Sequence, residues 1–161
     1  MALSLRVAAA PLVLLLGGCA TWPPGGSEEE LVPPVIEVVN DRSTFELVPW
    51  SGCISGSTVG MCWDGSPEHP VDVGVVAGEL EVALEVASPL DGWRWEAVAR
   101  DPAAEPGVGA NDGRQALTVE HDDSARRLVL TVPPGGPFAV DLWGRGESGD
   151  ASYTFIAVGV S

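Results

Sequence analysis

Residues 79–86 (ELEVALEV) constrain the fold most, because polar and apolar side chains alternate along them. Every second position is apolar, namely Leu80, Val82, Leu84 and Val86, and glutamates occupy most of the positions between. Successive side chains of a β-strand point to opposite faces, whereas a helix would spread the glutamates around its circumference. The stretch therefore predicts a strand with one buried and one solvated face.

The same alternation recurs along the chain. Residues 93–100 repeat it, with Trp93, Trp95, Ala97 and Ala99 on one face, after a turn at residues 88–92. Further strands are predicted at residues 35–40, 44–50, 59–63, 115–120, 127–132, 137–143 and 152–160. Gly, Pro, Asn and Asp separate these segments, and the chain has 20 Gly and 14 Pro. We expect an all-β domain at residues 35–161, a β-sandwich of about seven to nine strands.

Residues 128–142 (LVLTVPPGGPFAVDL) resemble a corner of immunoglobulin-like and fibronectin-III-like domains. There, strand E ends in a Pro/Gly turn and an aromatic residue opens strand F. Phe138 stands where that family usually has Tyr, and Trp93 and Trp95 fit its strand-C tryptophan. The family's inter-sheet disulfide is not expected, since Cys53 and Cys62 are too close in sequence. The resemblance implies an immunoglobulin-like architecture and no particular activity.

Residues 1–18 predict a signal peptide helix that is cleaved from the mature chain. Arg6 precedes a ten-residue apolar run at residues 7–16 (VAAAPLVLLL). A membrane span needs about 20 apolar residues, so this run has the length of a signal-peptide core. Residues 19–34 are rich in Pro, Gly and Glu and predict a flexible acidic linker.

Residues 16–19 (LGGC) resemble the lipobox of bacterial lipoproteins, which is Leu, two small residues and Cys. The resemblance implies that the Cys19 thiol receives a diacylglyceryl group and that cleavage makes Cys19 the first residue. The mature protein would then be extracytoplasmic and anchored to a bacterial cell membrane by lipid. Each CH₂ of the lipid that is buried in the membrane contributes about 0.8 kcal/mol to the free energy of membrane binding. The alternative is an ordinary secretory signal with a chance cysteine.

The two other cysteines, Cys53 and Cys62, predict one disulfide. An even number of cysteines outside the cytoplasm usually pairs, and turn-forming residues lie between these two. Free or metal-bound thiols are the alternative, although the C-x₂₋₄-C spacing of zinc sites is missing.

The net charge of the chain limits the classes of partner that can be expected. It has 23 acidic residues against eight basic ones, and its formal charge is −15. Nucleic acid is bound through cations that neutralise phosphates, so nucleic acid is not expected as a partner. Docking on an anionic membrane through a basic patch of the protein is not expected either. The expected contact with the membrane is therefore the lipid on Cys19. The chain has no Lys, which excludes lysine Schiff-base and P-loop chemistry.

The sequence points to no catalytic residue, metal or cofactor. The two histidines, His69 and His121, have no supporting motif, and Ser148 in GESGD is expected in a hairpin turn. The acidic segments at residues 111–113 and 120–123 are expected to be solvated turns. A non-catalytic binding or structural module is the expectation, and a small extracytoplasmic hydrolase is an alternative.

Trp50 and Trp63 are the candidate binding residues, because they flank the two cysteines. A disulfide would fix both indoles on one small loop, where they could stack on a glycan or anchor an envelope protein. Alternatively, both rings pack over the disulfide and close one end of the sandwich.

Overall fold

The computed structural model describes residues 33, 35–41, 43–56, 59–67, 69–84, 92–106, 113–122 and 126–160. These residues form twelve β-strands and no helix. The strands are β1 (Ile36–Asn40), β2 (Ser43–Leu47), β3 (Ser51–Ser55), β4 (Gly60–Trp63), β5 (Val71–Val76), β6 (Glu79–Ala83), β7 (Arg94–Arg100), β8 (Gln115–Ala116), β9 (Val119–Asp122), β10 (Arg127–Thr131), β11 (Gly135–Gly146) and β12 (Gly149–Gly159).

The strands form two sheets. The first has the order β2-β1-β6-β10-β9, and the second has the order β4-β3-β12-β11-β7-β8, with β5 also paired to β12. The immunoglobulin fold places strands A-B-E-D in one sheet and C-F-G in the other. The orders β1-β6-β10-β9 and β7-β11-β12 match it, with β2 to β5 inserted between the first and second strands of this frame. The prediction of an immunoglobulin-like β-sandwich is confirmed.

The number of strands exceeds the seven to nine expected. Strand β3 was missed because its sequence, SGCIS, is poor in residues that favour strands. Strand β5 was missed because Gly74 interrupts it with a φ of +78°. The segment at residues 115–120 is divided into β8 and β9, which pair with different sheets.

One hydrophobic core lies between the sheets. Its largest fully buried side chains are Trp93, Tyr153 and Phe155, packed with aliphatic residues of both sheets. Leu80, Val82 and Leu84 are buried while Glu79 is exposed, as their alternation predicts. Val98 and Arg100 are also buried, although the alternation placed them on the solvated face.

Asn40, at the end of β1, connects the two sheets. Its Nδ2 donates to the carbonyl oxygens of Val73 and Val75 in β5, at 2.6 and 3.0 Å. Strand β5 runs parallel to the last part of β12, with a register shift between Ile156 and Val158. The end of β1 therefore lies beside the end of β12. The start of β1 lies toward the β11–β12 turn, because Ile36 pairs with Leu47 of β2, and Trp50, shortly after β2, donates to the Ser152 carbonyl near the start of β12.

The signal peptide, Cys19 and most of the linker lie outside the described residues. In the part of the chain that is described, no helix is long and apolar enough to span a membrane.

Candidate functional site

The predicted disulfide is confirmed. Cys53 and Cys62 are bonded, and they face each other directly across the antiparallel strands β3 and β4. Both are exposed, and the backbone N–H of Cys53 donates to the Asp150 carboxylate at 2.8 Å. The bridge therefore joins the two strands of a hairpin that extends the second sheet beyond β12.

The indole of Trp50 belongs to a polar network on the outer face of the second sheet. Its Nε1 donates to Thr154 Oγ1 at 3.1 Å, and that hydroxyl donates to Asp141 Oδ1 at 2.7 Å. Thr154 and Asp141 are buried, and Trp50 is half-buried. These bonds give Trp50 a structural role.

The indole of Trp63 has different surroundings. It is half-buried and packs against the hydrophobic core, and a Cβ added at Gly52 would lie 2.9 Å from its Cζ2. Its Nε1 is buried and has no hydrogen-bond partner among the described residues. The structure thus does not bring the two indoles together as one stacking surface.

Arg100 and Asp141 form a buried ion pair in the same network. Arg100 Nε lies 2.7 Å from Asp141 Oδ2, and Nη2 lies 3.2 Å from Oδ1. Nη1 donates to the carbonyl oxygens of Asp101 and Ala104, in the segment that follows β7. These partners explain why Arg100 is buried despite its place on the outer face.

A groove lies on this outer face near the β11–β12 turn. It has a volume of about 560 Å³ and is lined by Gly92, Arg94, Glu96, Trp143, Arg145, Gly146 and Glu147, which we call the arginine groove. A volume of this size is within the range of small-ligand sites, roughly 300–1,000 Å³.

Two glycines of β11 show which side chains face the groove. A Cβ on Gly144 would lie 2.7 Å from Trp93, and one on Gly146 would lie 2.1 Å from the same indole. Both positions thus face the core. Because neighbouring residues of a strand alternate, Trp143 and Arg145 lie on the opposite, outer face.

Arg94 and Arg145 lie directly opposite each other on β7 and β11. Both are exposed, and no ion pair joins either of them to another described residue. Like charges directly opposite each other in a sheet are destabilising. The groove thus places two of the chain's eight basic residues side by side, in a lining that also contains Glu96 and Glu147.

Trp143 forms the aromatic part of the groove. It lies opposite Glu96 on β7 and two residues before Arg145, and its side chain is partly exposed. Glu96 and Glu147 are exposed and add carboxylate oxygens. This site could not be predicted from the sequence, because only the pairing of β7 with β11 brings Arg94 and Arg145 together. The alternation of polar and apolar residues at 93–100 does predict that Arg94 and Glu96 lie on the same face of their strand.

The other residues considered from the sequence lie apart from the groove or have structural roles. Ser148 lies in the β11–β12 turn, as predicted, and accepts a hydrogen bond from Trp93 Nε1 at 2.9 Å. His69 and His121 are exposed, and Asp122 Oδ2 lies 3.6 Å from Arg127 Nε. Among the described residues, no group of three or more His, Cys, Asp or Glu is placed to hold a metal ion.

A scan of protein-family models found no match to the chain, and searches of curated proteins and of solved structures found none either.

Proposed function

We propose that this chain is an extracytoplasmic bacterial lipoprotein whose β-sandwich is a non-catalytic binding module. Cys19 holds the lipid, residues 19–34 are the tether, and the arginine groove is the binding surface. The arginine groove is the main support for a binding role, because it combines a partly exposed indole with two guanidinium groups that form no ion pair with another described residue. The LGGC motif after an apolar run is the support for the anchor.

The position of the groove agrees with this arrangement. Strand β1 starts toward the end of the sandwich that has the β11–β12 turn, and Gly146 and Glu147 line the groove at that turn. The start of β1, which follows the proposed tether in sequence, and the groove are therefore at the same end of the domain. A ligand in the groove would be held on the side of the domain that the tether joins.

The groove replaces the pair of Trp50 and Trp63 as the proposed contact with a glycan or an envelope protein. Trp50 is engaged with Thr154, and Trp63 packs against the core. Trp143 is partly exposed and lies next to charged groups, and an aromatic side chain beside a few polar groups is common in ligand sites.

Metabolic labelling with a fatty-acid probe tests the anchor. The wild-type chain should be labelled and found with the membranes, whereas Cys19→Ser should be unlabelled and should remain an uncleaved precursor or leave the membranes. The double variant Cys53→Ser/Cys62→Ser is the control, since it removes the disulfide and leaves Cys19 as the only cysteine, and it should be labelled normally. Equal labelling of the wild type and Cys19→Ser would refute the anchor.

A further inference from the structure

The arginine groove combines three kinds of chemistry within one concave surface. Two arginines are register partners on β7 and β11, an indole lies on the same face, and two carboxylates complete the lining. Each of these groups limits the class of ligand that fits.

The two arginines indicate an anionic group on the ligand. Arg94 and Arg145 are register partners, so their mutual repulsion is relieved when an anion lies between them. Neither has a carboxylate partner within ion-pair distance in the described part of the chain. The fork of a guanidinium matches a carboxylate with two parallel hydrogen bonds.

The two glutamates limit the negative charge of the ligand. Glu96 and Glu147 line the same groove, and the protein as a whole is strongly acidic. A polyphosphate or a nucleic acid would place further negative charge against these carboxylates. A ligand unit with a single anionic group and neutral hydroxyls fits better, because ionised carboxylates accept hydrogen bonds from hydroxyls.

The indole of Trp143 indicates a ring with an apolar face. The face of an aromatic ring is electronegative, so it attracts the C–H groups of a saturated ring that lies on it. A sugar ring offers such C–H groups on its faces and hydroxyls at its edge. Trp143 is partly exposed and lies between Glu96 and Ser152 in the sheet, which leaves its outer side open to a ligand.

From these three constraints we infer that the arginine groove binds a uronic-acid unit of an acidic glycan. The carboxylate lies between Arg94 and Arg145, the sugar ring lies on Trp143, and Glu96 accepts hydrogen bonds from hydroxyls. This inference rests on the proposed function, in that it names the ligand class of the same groove.

Titration calorimetry on the full chain in detergent tests the inference. The probes are oligomers of galacturonic, glucuronic and mannuronic acid, the methyl ester of each oligomer, and inorganic phosphate. We expect at least one acidic oligomer to bind, and its methyl ester and phosphate to bind at least about tenfold more weakly. Added salt should weaken the binding, because screening reduces the attraction of exposed charges.

Variants locate the binding in the groove. Arg94→Gln and Arg145→Gln should each weaken binding by roughly tenfold, since each removes a charged hydrogen-bond donor. Trp143→Ala should weaken binding as well, and Trp143→Phe should restore part of it. Arg114→Gln is the matched control, because Arg114 donates to the Glu105 carbonyl outside the groove, and it should bind like the wild type.

Four results would overturn the inference. The first is that no uronate oligomer binds. The second and third are that the methyl ester or phosphate binds as tightly as the acidic oligomer. The fourth is that Arg114→Gln loses as much affinity as Arg94→Gln and Arg145→Gln. Binding of anionic phospholipid vesicles through Arg94 and Arg145, without binding of any acidic oligomer, would assign the groove to lipid headgroups instead. Lipid labelling at Cys19 is measured separately, so the absence of uronate binding can be distinguished from the absence of the lipid anchor.

Discussion

Arg100 and Asp141 are joined by two hydrogen bonds on the outer face of the second sheet, and both side chains are buried. Buried charges are tolerated only with partners, so this relationship fixes the end of β7 against β11. Thr154 and Trp50 extend the network to β12 and to the residue before β3.

Asp141→Ala should lower the free energy of unfolding by about 3–5 kcal/mol, because it leaves the Arg100 guanidinium buried without its counter-charge. Denaturant unfolding of the disulfide-bonded protein measures the loss. The control is Glu81→Ala, which breaks a pair with Arg127 whose side chains are both 42% exposed, and we expect about 1 kcal/mol at most. Equal small losses in the two variants would contradict the importance of the buried pair.

Gly146→Ala should destabilise the protein by about 1–3 kcal/mol, because its methyl group would overlap the Trp93 indole and force the core to shift. Gly60→Ala is a suitable control in another strand, since the nearest atom to its Cβ would be 3.6 Å away. It should change stability by no more than about 0.5 kcal/mol. Thermal unfolding followed by tryptophan fluorescence compares the two variants, and similar midpoints would refute the close approach of Gly146 to Trp93.

Burial raises the pKa of the Tyr153 hydroxyl well above its ordinary value of 10.0. Above that pH the unfolded chain loses the proton while the folded chain keeps it, so the free energy of unfolding should fall as pH rises. Tyr153 is the chain's only tyrosine, and no lysine titrates in the same range. Tyrosinate absorbance should therefore appear near pH 10 in denaturant but only at higher pH in the native protein. Tyr153→Phe should reduce the loss of stability above pH 10, and a native titration near pH 10 would contradict this prediction.

Replacing Cys53 and Cys62 together by Ala should cost roughly 2–3 kcal/mol, since the bridge restricts the unfolded chain. Alkylation under denaturing conditions followed by intact-mass measurement checks the bridge itself. Neither cysteine should react before reduction, and both should react after it. Two reactive thiols at these positions in the unreduced protein would show that the disulfide does not form.

The sandwich was predictable because half-buried strands leave a pattern of period two, which residues 79–84 show clearly. Strand β5 was not predictable, since one extra residue of β5 at the register shift with β12 interrupts the alternation of buried and exposed residues. Burial of Arg100 was not predictable either, because Asp141 and the carbonyls of Asp101 and Ala104 meet it only after folding.

The candidate site shows the same limit. Adjacency to Cys53 and Cys62 placed Trp50 and Trp63 near one hairpin, but sequence does not show which side of the sheet each ring contacts. The arginine groove depends on the register of β7 against β11, which pairs Arg94 with Arg145. Local sequence contains no information on that register.

The contact of Asn40 with β5 has a consequence for contacts between molecules. A strand at the margin of a sheet can recruit a strand of a neighbouring molecule through its unused carbonyl and N–H groups. Here the carboxamide of Asn40 occupies the carbonyls of Val73 and Val75, and the Asp72 carboxylate accepts the N–H of Gly74 between them. The local irregularity at Gly74 also makes this margin a poor template for an incoming strand. The β5 edge is thereby a poor site for the addition of a strand from a second copy of this chain.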